Sequence, residues 1–342
     1  SGQWSVFGLL ALLVVGAWLR LQGLDWDHGQ HLHPDERFLT MVMTAIRLPA
    51  SIAEYFDTAR SSLNPASHGF GFFVYGTFPL FFVRIAGEWL GLTDYGHVHL
   101  VGRVASALFD LGTVILTWRL GRLIAGPRVG VAAAALVTFS VVSIQQAHFF
   151  TVDSFAAFFA AATLLALLRA AESGRLVWHL VFGASFGLML ACRINLLLLG
   201  LLYPLAFLHA WRVRGVRVGV LLGGAAVAGL VAAVGFRIAQ PYAFQGPGFF
   251  DVALASDFLQ SMRTIRGFVT GAADYPPSVQ WIGRTPVVFA TRNLIVWGLG
   301  PAWGLAALAG VFVCLKGRSA DPDDRSGPRR IAALWALGLV LY

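Results

Sequence analysis

The sequence predicts an all-α polytopic membrane protein, and three observations predict it. Of its 342 residues, 57% are hydrophobic and only 12% are charged, with a mean hydropathy of +0.71, values that soluble globular domains do not approach. Apolar runs long enough to cross a hydrocarbon core of ~30 Å as helices recur along the whole chain. None alternates with the period of a strand, and open sheets cannot satisfy their backbone in lipid, so the spans are helical.

Nine runs qualify: about 4–21, 99–121, 129–149, 153–171, 176–192, 194–211, 218–238, 291–315 and 331 onward. The chain opens at Ser1 without a methionine and ends at Tyr342 inside an apolar run. Nine is therefore a minimum, and 291–342 reads as a truncated set of further spans. The first run lacks basic residues before it and a small-x-small site after it, so no cleaved signal peptide is expected.

The segment 70–92 is apolar enough to be a tenth span, yet it carries Pro79, Arg84 and Glu88. Those residues suit a helix lying at the interface, within a long first loop spanning 22–98. Charge then fixes orientation. The net charge of +8 is almost wholly arginine, Lys316 being the only lysine. The arginines cluster in the short loops 119–128, 169–175, 211–217 and 316–330, which all fall on one side of the membrane. The positive-inside rule makes that side cytoplasmic. Membrane topology accounts for the charge, and no nucleic-acid partner is implied.

Four segments then share the external face: the first loop, the turn 149–153, the turn 192–195 and the loop 239–290. Polar residues gather in them. Asp35 and Glu36 lie in the first, Asp153 in the second, Arg193 in the third, and Asp251, Asp257, Arg263, Arg266, Asp274 and Arg284 in the last. Tyr275, Trp281, Phe249 and Phe250 give the last loop the character of an interfacial lid over a lipid access route, although aromatic anchoring alone also accounts for them.

The stretch Gln30 to Thr40, QHLHPDERFLT, is the densest of these polar groups. Pro34 fits a first-turn position, and Asp35 and Glu36 complement a helix dipole. Ionisable groups this close to hydrocarbon are costly, which also favours a functional reading. Within the spans, the pairs Gly183/Gly187, Gly219/Gly223 and Gly300/Gly304 permit close helix approach. Arg103 and Asp110 lie seven apart, on one face, as a charge pair turned to the bundle interior or with Arg103 reaching a lipid phosphate. Cys192 and Cys314 sit at opposite membrane faces, so neither a disulfide nor a cysteine metal site is expected. There is no Walker loop, strand-borne GxGxxG, HExxH or GxSxG, which leaves nucleotide-driven pumping and several hydrolase chemistries without support.

The external acidic pair after the first span, the second acidic residue at the outer end of a later span and the arginine-oriented body resemble the GT-C glycosyltransferases. The likeness is closest to the protein O-mannosyltransferase and aminoarabinose-transferase branch, which is glycosyltransferase family 39-like. Four pieces carry it: HPDERF (33–38), FVYGTFPLFF (73–82), VGRVASALFDLGTVILTWRLGRLIAG (101–126) and HFFTVDSFAAFFAAATLLALLRA (148–170). Where aminoarabinose transferases have a lysine near the start of the 73–82 region, none is present here.

The resemblance implies a GT-C-type bundle with a catalytic module over 1–238, an external loop with interfacial helices over 239–290 and further spans over 291–342. It implies transfer of a sugar from a polyprenyl-phosphate donor to a glycan, lipid or protein acceptor at the external face, with inversion and mannosyltransferase-like character. Asp35 would be the general base, and Glu36 would orient Arg37 or the acceptor. Asp153 would form a second wall of the site, holding the acceptor or a divalent cation, or would only cap its own span. Arg193 stands where a phosphate-facing cation is expected, or snorkels to the interface. Arg37, Arg103, Tyr75, His33 and His148 complete the substrate- and phosphate-binding set.

No cofactor is assigned. A divalent cation remains open, with His31, His33 and His148 beside Asp35 as candidate ligands, against plain solvated or hydrogen-bonded roles. The expected setting is a bacterial plasma membrane with the site facing outward. Two other functions fit the composition. A transporter or flippase of lipid-linked sugars should show inverted halves and polar residues at mid-membrane, and no internal repeat is visible. A non-catalytic subunit with a glycosyltransferase-like body would keep the fold without the chemistry.

Overall fold

The computed structural model describes residues 2–273, 275–279, 282–285, 287–316 and 326–341. Asp274 and Trp281 of the expected lid, and Arg318 and Arg325 of the last basic loop, lie outside the described residues. Every regular element among the described residues is helical.

Five helices are long and apolar enough to cross a membrane: α1 (Gln3–Leu21), α5 (Val98–Ala125), α8 (Asp153–Ser173), the continuous run Ile194–Arg212 and α11 (Val218–Ala239). The other expected spans are shorter or broken. The run 176–192 becomes α9 (Leu176–Leu190), 15 residues long. The run 129–149 divides into α6 (Pro127–Thr138) and α7 (Val141–Ala147), bent by 57°. The run 291–315 passes through α14 (Val288–Asn293), a π turn and α15 (Pro301–Lys316). The last run is α16 (Ser326–Leu341), and α10 (Leu202–Arg214) continues the 3₁₀ turn Ile194–Leu201.

The break between α6 and α7 has a visible compensation. It frees carbonyls at the end of α6, which hydrocarbon would leave unsatisfied. Arg20, fully buried at the end of α1, donates Nη1 to Thr138 O at 3.1 Å and Nη2 to Val137 O at 3.1 Å. Its Nε donates to Asp110 Oδ2 at 2.6 Å. Asp110 thus pairs with Arg20, and the expected Arg103–Asp110 pair does not form.

The bundle runs α1–α6–α5–α8–α9–α11, each helix packed on the next, with α10 and α16 against α8. The glycine expectation holds for one pair. A Cβ on Gly183 would meet Ala228 O at 2.5 Å, and one on Gly187 would meet Ala232 O at 2.5 Å, so α9 approaches α11 backbone to backbone. Gly219, Gly223 and Gly300 meet nothing within 4 Å and do not serve that purpose, whereas Gly304 packs on Ile295.

The segment 70–92 contributes α4 (Thr77–Leu90), 14 residues, too short to span a typical bilayer. Its N-terminus is tied to the ends of two bundle helices. Thr77 Oγ1 donates to Ala239 O at 2.6 Å, the last residue of α11, and Gly76 N–H donates to Cys192 O at 3.1 Å, beyond α9. The rest of the first loop is anchored in the same way. Tyr55 donates to Ile238 O, Thr58 to Phe244 O, and Phe150 N–H to Glu36. The first loop, the turns 149–153 and 192–195, and the start of 239–290 therefore meet at one end of the bundle, the loop face.

Candidate functional site

Two neighbouring carboxylates in α2 (Pro34–Ala45) begin the site. His33 caps this helix, its Nδ1 accepting from Glu36 N–H, and Pro34 takes the first position, where no amide is needed. Successive helical residues point about 100° apart, at 3.6 residues per turn. Asp35 and Glu36 consequently face different surroundings.

Glu36 points inward and is fully buried. It shares its face with Leu39, Thr40 and Met43, all buried at helical spacing. Its Oε2 accepts from Arg103 Nε at 2.9 Å and from Phe150 N–H at 2.7 Å, and its Oε1 accepts from Arg103 Nη2 at 2.5 Å. Arg103, also fully buried, pairs further with Asp27 at 3.0 Å and donates to Leu24 O. Burial opposes ionisation of Asp27, but bonds from Arg103 and Leu32 N–H outweigh it and hold the carboxyl down to about 2. This cluster locks the first loop to the start of α5. It corrects the expected roles of Glu36, which does not orient Arg37, and of Arg103, whose guanidinium is enclosed by protein acceptors.

Asp35 is half-buried and points the other way, into a cavity of about 480 Å³ at the loop face. Tyr75 and Arg193 line the same cavity. Tyr75 lies beside Asp35, and burial, then the Asp35 carboxylate, push its hydroxyl above the usual phenol range. The backbone before α4 sets this contact. Gly76 and Phe78 N–H donate to Cys192 O and Ala191 O, and a Cβ on Gly76 would lie 1.9 Å from Ala191 O. Only glycine allows this approach, which brings Tyr75 beside Arg193.

Asp153, the first residue of α8, makes no side-chain cap. Its Oδ1 accepts from Arg193 Nη2 at 2.6 Å, joining the turns 149–153 and 192–195. Arg193 Nε is buried and has no hydrogen-bond partner among the described residues. The fourth wall comes from 256–279. Ile265 and Phe268 of α12 (Ser256–Thr270), with Tyr275 and Ser278, line the cavity together with Val152 and Ile194. Tyr275 stacks on Phe268 at 4.5 Å. Phe249 instead packs against Phe56, and Phe250 is exposed.

The remaining expected residues lie outside the cavity. Arg37 is exposed, its Nε donating to His31 O at 2.9 Å. His33 stacks on Phe149 at 4.3 Å. Both ring nitrogens of His148 face carbonyls, of Ile144 at 2.8 Å and Gln22 at 2.9 Å. His31, His33 and His148 do not converge on Asp35, so the expected ligand set is not assembled. Sequence reading missed Ile265, Phe268, Asn195 and Ser278. The spacing Phe258, Ser261, Ile265, Phe268 was the available signal, an amphipathic stripe at helical period.

Residues 88–255, just under half of the chain, match the family described as dolichyl-phosphate-mannose-protein mannosyltransferase. The S. cerevisiae protein O-mannosyltransferase complex bound to its sugar donor is similar to this chain at TM-score 0.52 and 15% identity, over 71% of this chain and 35% of that one. The Archaeoglobus fulgidus oligosaccharyltransferase in complex with Zn and sulfate gives 0.58 and 17%, over 97% and 45%. The same organism's AglB, with an inhibitory peptide and a dolichol-phosphate, gives 0.54 and 16%, over 99% and 47%. At these identities the likeness is one of fold, and the chain spans less than half the length of each of these structures. No curated protein matches it in sequence.

Proposed function

We propose that this chain is a GT-C-type integral-membrane glycosyltransferase that moves a sugar from a polyprenyl-phosphate donor to an acceptor hydroxyl or amide, with inversion, in the cavity of Asp35. One observation carries the reading. A carboxylate oriented by a tyrosine and an arginine with an unpartnered N–H face one cavity, next to apolar walls that suit a lipid-linked substrate. The mannosyltransferase family match supports the reaction class.

In such a transfer the acceptor oxygen or nitrogen bonds to the anomeric carbon as the bond to the phosphate oxygen breaks. Positive charge develops on the sugar ring, and negative charge develops on the departing phosphate. Asp35 takes the acceptor's proton, and Tyr75 holds the carboxylate toward the cavity. Arg193 faces the phosphate, its Nε free for an oxygen while Asp153 fixes Nη2. Asp153 is a positioning residue in this scheme. Inversion needs no second nucleophilic carboxylate.

The loop face is placed outside the membrane in this reading, and the nine helical runs are kept as spans. Support comes from the helix ends: α5 and α8 begin at the loop face, and their far ends carry Arg119, Arg122, Arg169 and Arg175. A glycan, lipid or protein remains equally open as the acceptor.

The test is sugar transfer by the purified protein from a panel of radiolabelled polyprenyl-phosphate hexoses to a membrane extract. Transfer by the wild type, lost in Asp35→Asn and reduced in Arg193→Ala, is the expected result. Transfer unaffected by both substitutions would overturn the site. Tight binding of polyprenyl phosphate with no transfer from any donor would favour a scaffold.

A further inference from the structure

Beside the Glu36 lock, and outside the cavity of Asp35, lies a second cluster that the reaction does not use. The ligand atoms of Asp25, Asp27 and His99 lie within 4.8 Å of one another. His99 is 1% exposed, and neither of its ring nitrogens has a hydrogen-bond partner among the described residues. The same holds for His31, 2% exposed, whose ring centroid is 4.4 Å from that of His99. Asp27 Oδ1 is a further buried orphan. Buried polar atoms left unsatisfied are costly, and five together at one place, among the described residues, point to a ligand.

We propose that Asp25, Asp27 and His99, with His31 adjacent, form a zinc-class divalent cation site that fastens the 22–33 segment to the first turn of α5.

Charge and donor chemistry agree on the class. Asp27 and Glu36 share one guanidinium, Arg103, and Asp25 adds a third carboxylate at the cluster, which leaves two negative charges for a dication to balance. Mixed imidazole and carboxylate donors suit zinc, whereas calcium takes six to eight oxygens and magnesium keeps much of its water. The carboxylates are already oriented from behind. Asp27 Oδ2 takes Leu32 N–H at 3.2 Å and Arg103 at 3.0 Å, and Asp25 Oδ1 takes Gly29 N–H at 3.1 Å. Such outer partners fix ligand geometry. Asp25 is exposed and gives the ion a route in. None of these residues lines the cavity of Asp35.

The experiment strips the detergent-purified protein with chelator, adds zinc chloride, desalts, and measures bound metal by mass spectrometry and thermal unfolding with and without zinc. The wild type should retain about one zinc per chain and unfold at higher temperature with it. His99→Gln and Asp25→Asn should each weaken binding more than about tenfold. Asp25→Asn changes an exposed side chain, so it reports even if His99→Gln fails to fold. Asp35→Asn and Asp153→Asn should bind zinc as the wild type does. No retained zinc in the wild type would show a water-filled pocket and overturn the proposal. Zinc that survives Asp25→Asn but is lost in Asp35→Asn would place the ion in the cavity and overturn it equally.

Discussion

Asp35 and Glu36 are neighbours in sequence and opposites in surroundings. Glu36 is enclosed, with both oxygens saturated by Arg103 and the Phe150 amide. Asp35 faces an open cavity, with Tyr75 beside it. A buried charge that is fully paired can do little chemistry, because a substrate would have to break the pairing first. A half-buried charge with one oriented donor can exchange a proton with a bound ligand. The acidic pair therefore divides its work, one residue fixing the first loop and the other presenting chemistry, and about 100° of rotation on one helix separates the two.

The sharpest way to break this contrast is at Glu36. Glu36→Ala leaves Arg103 buried beside Asp27 alone and should cost about 3–5 kcal/mol of stability, read as a lowered unfolding temperature in detergent. On the cavity side, Tyr75→Phe removes the hydroxyl that holds the Asp35 carboxylate in the proposed mechanism, a contact worth about 1.5–3 kcal/mol, and should lower kcat/KM accordingly with folding kept. The pH profile sharpens the point. In the wild type, burial and Asp35 raise the Tyr75 hydroxyl. It stays protonated and should produce no alkaline limb below about pH 10.

Gly76→Ala tests the link between the two regions. The added Cβ collides with Ala191 O and should cost about 1–3 kcal/mol while displacing Tyr75, so turnover should fall further than stability. The smallest effect belongs to a charge pair at neither place. Arg169 and Glu172 pair at 3.0 Å with both side chains exposed, and Arg169→Ala should shift stability by less than about 0.5 kcal/mol.

Much of this was legible in the sequence. Hydropathy located the helices, and arginine placement with span parity brought Asp35, Asp153 and Arg193 to one face. The directions of side chains were not legible from span counting. Glu36 lies on the stripe Glu36–Leu39–Thr40–Met43, and that period pointed inward, but the HPDE motif drew attention to charge rather than register. Arg103 and Asp110 share a helix face, yet each found a partner on another helix, Glu36 and Arg20, because burial rewards the nearest long-range counter-charge rather than the nearest in sequence. The 57° break after α6 was hidden for a related reason. Arg20 supplies the missing donors from 117 residues away in the chain, where no local pattern records it.

One measurement tests the division of labour directly: turnover and unfolding temperature measured side by side for Asp35→Asn and Glu36→Gln. The expected outcome is a cross. Asp35→Asn should lose about 10²–10⁴ in turnover with an unchanged unfolding temperature, and Glu36→Gln should unfold at markedly lower temperature while its folded fraction still turns over. Equal loss of stability in both, or turnover preserved in Asp35→Asn, would contradict the account.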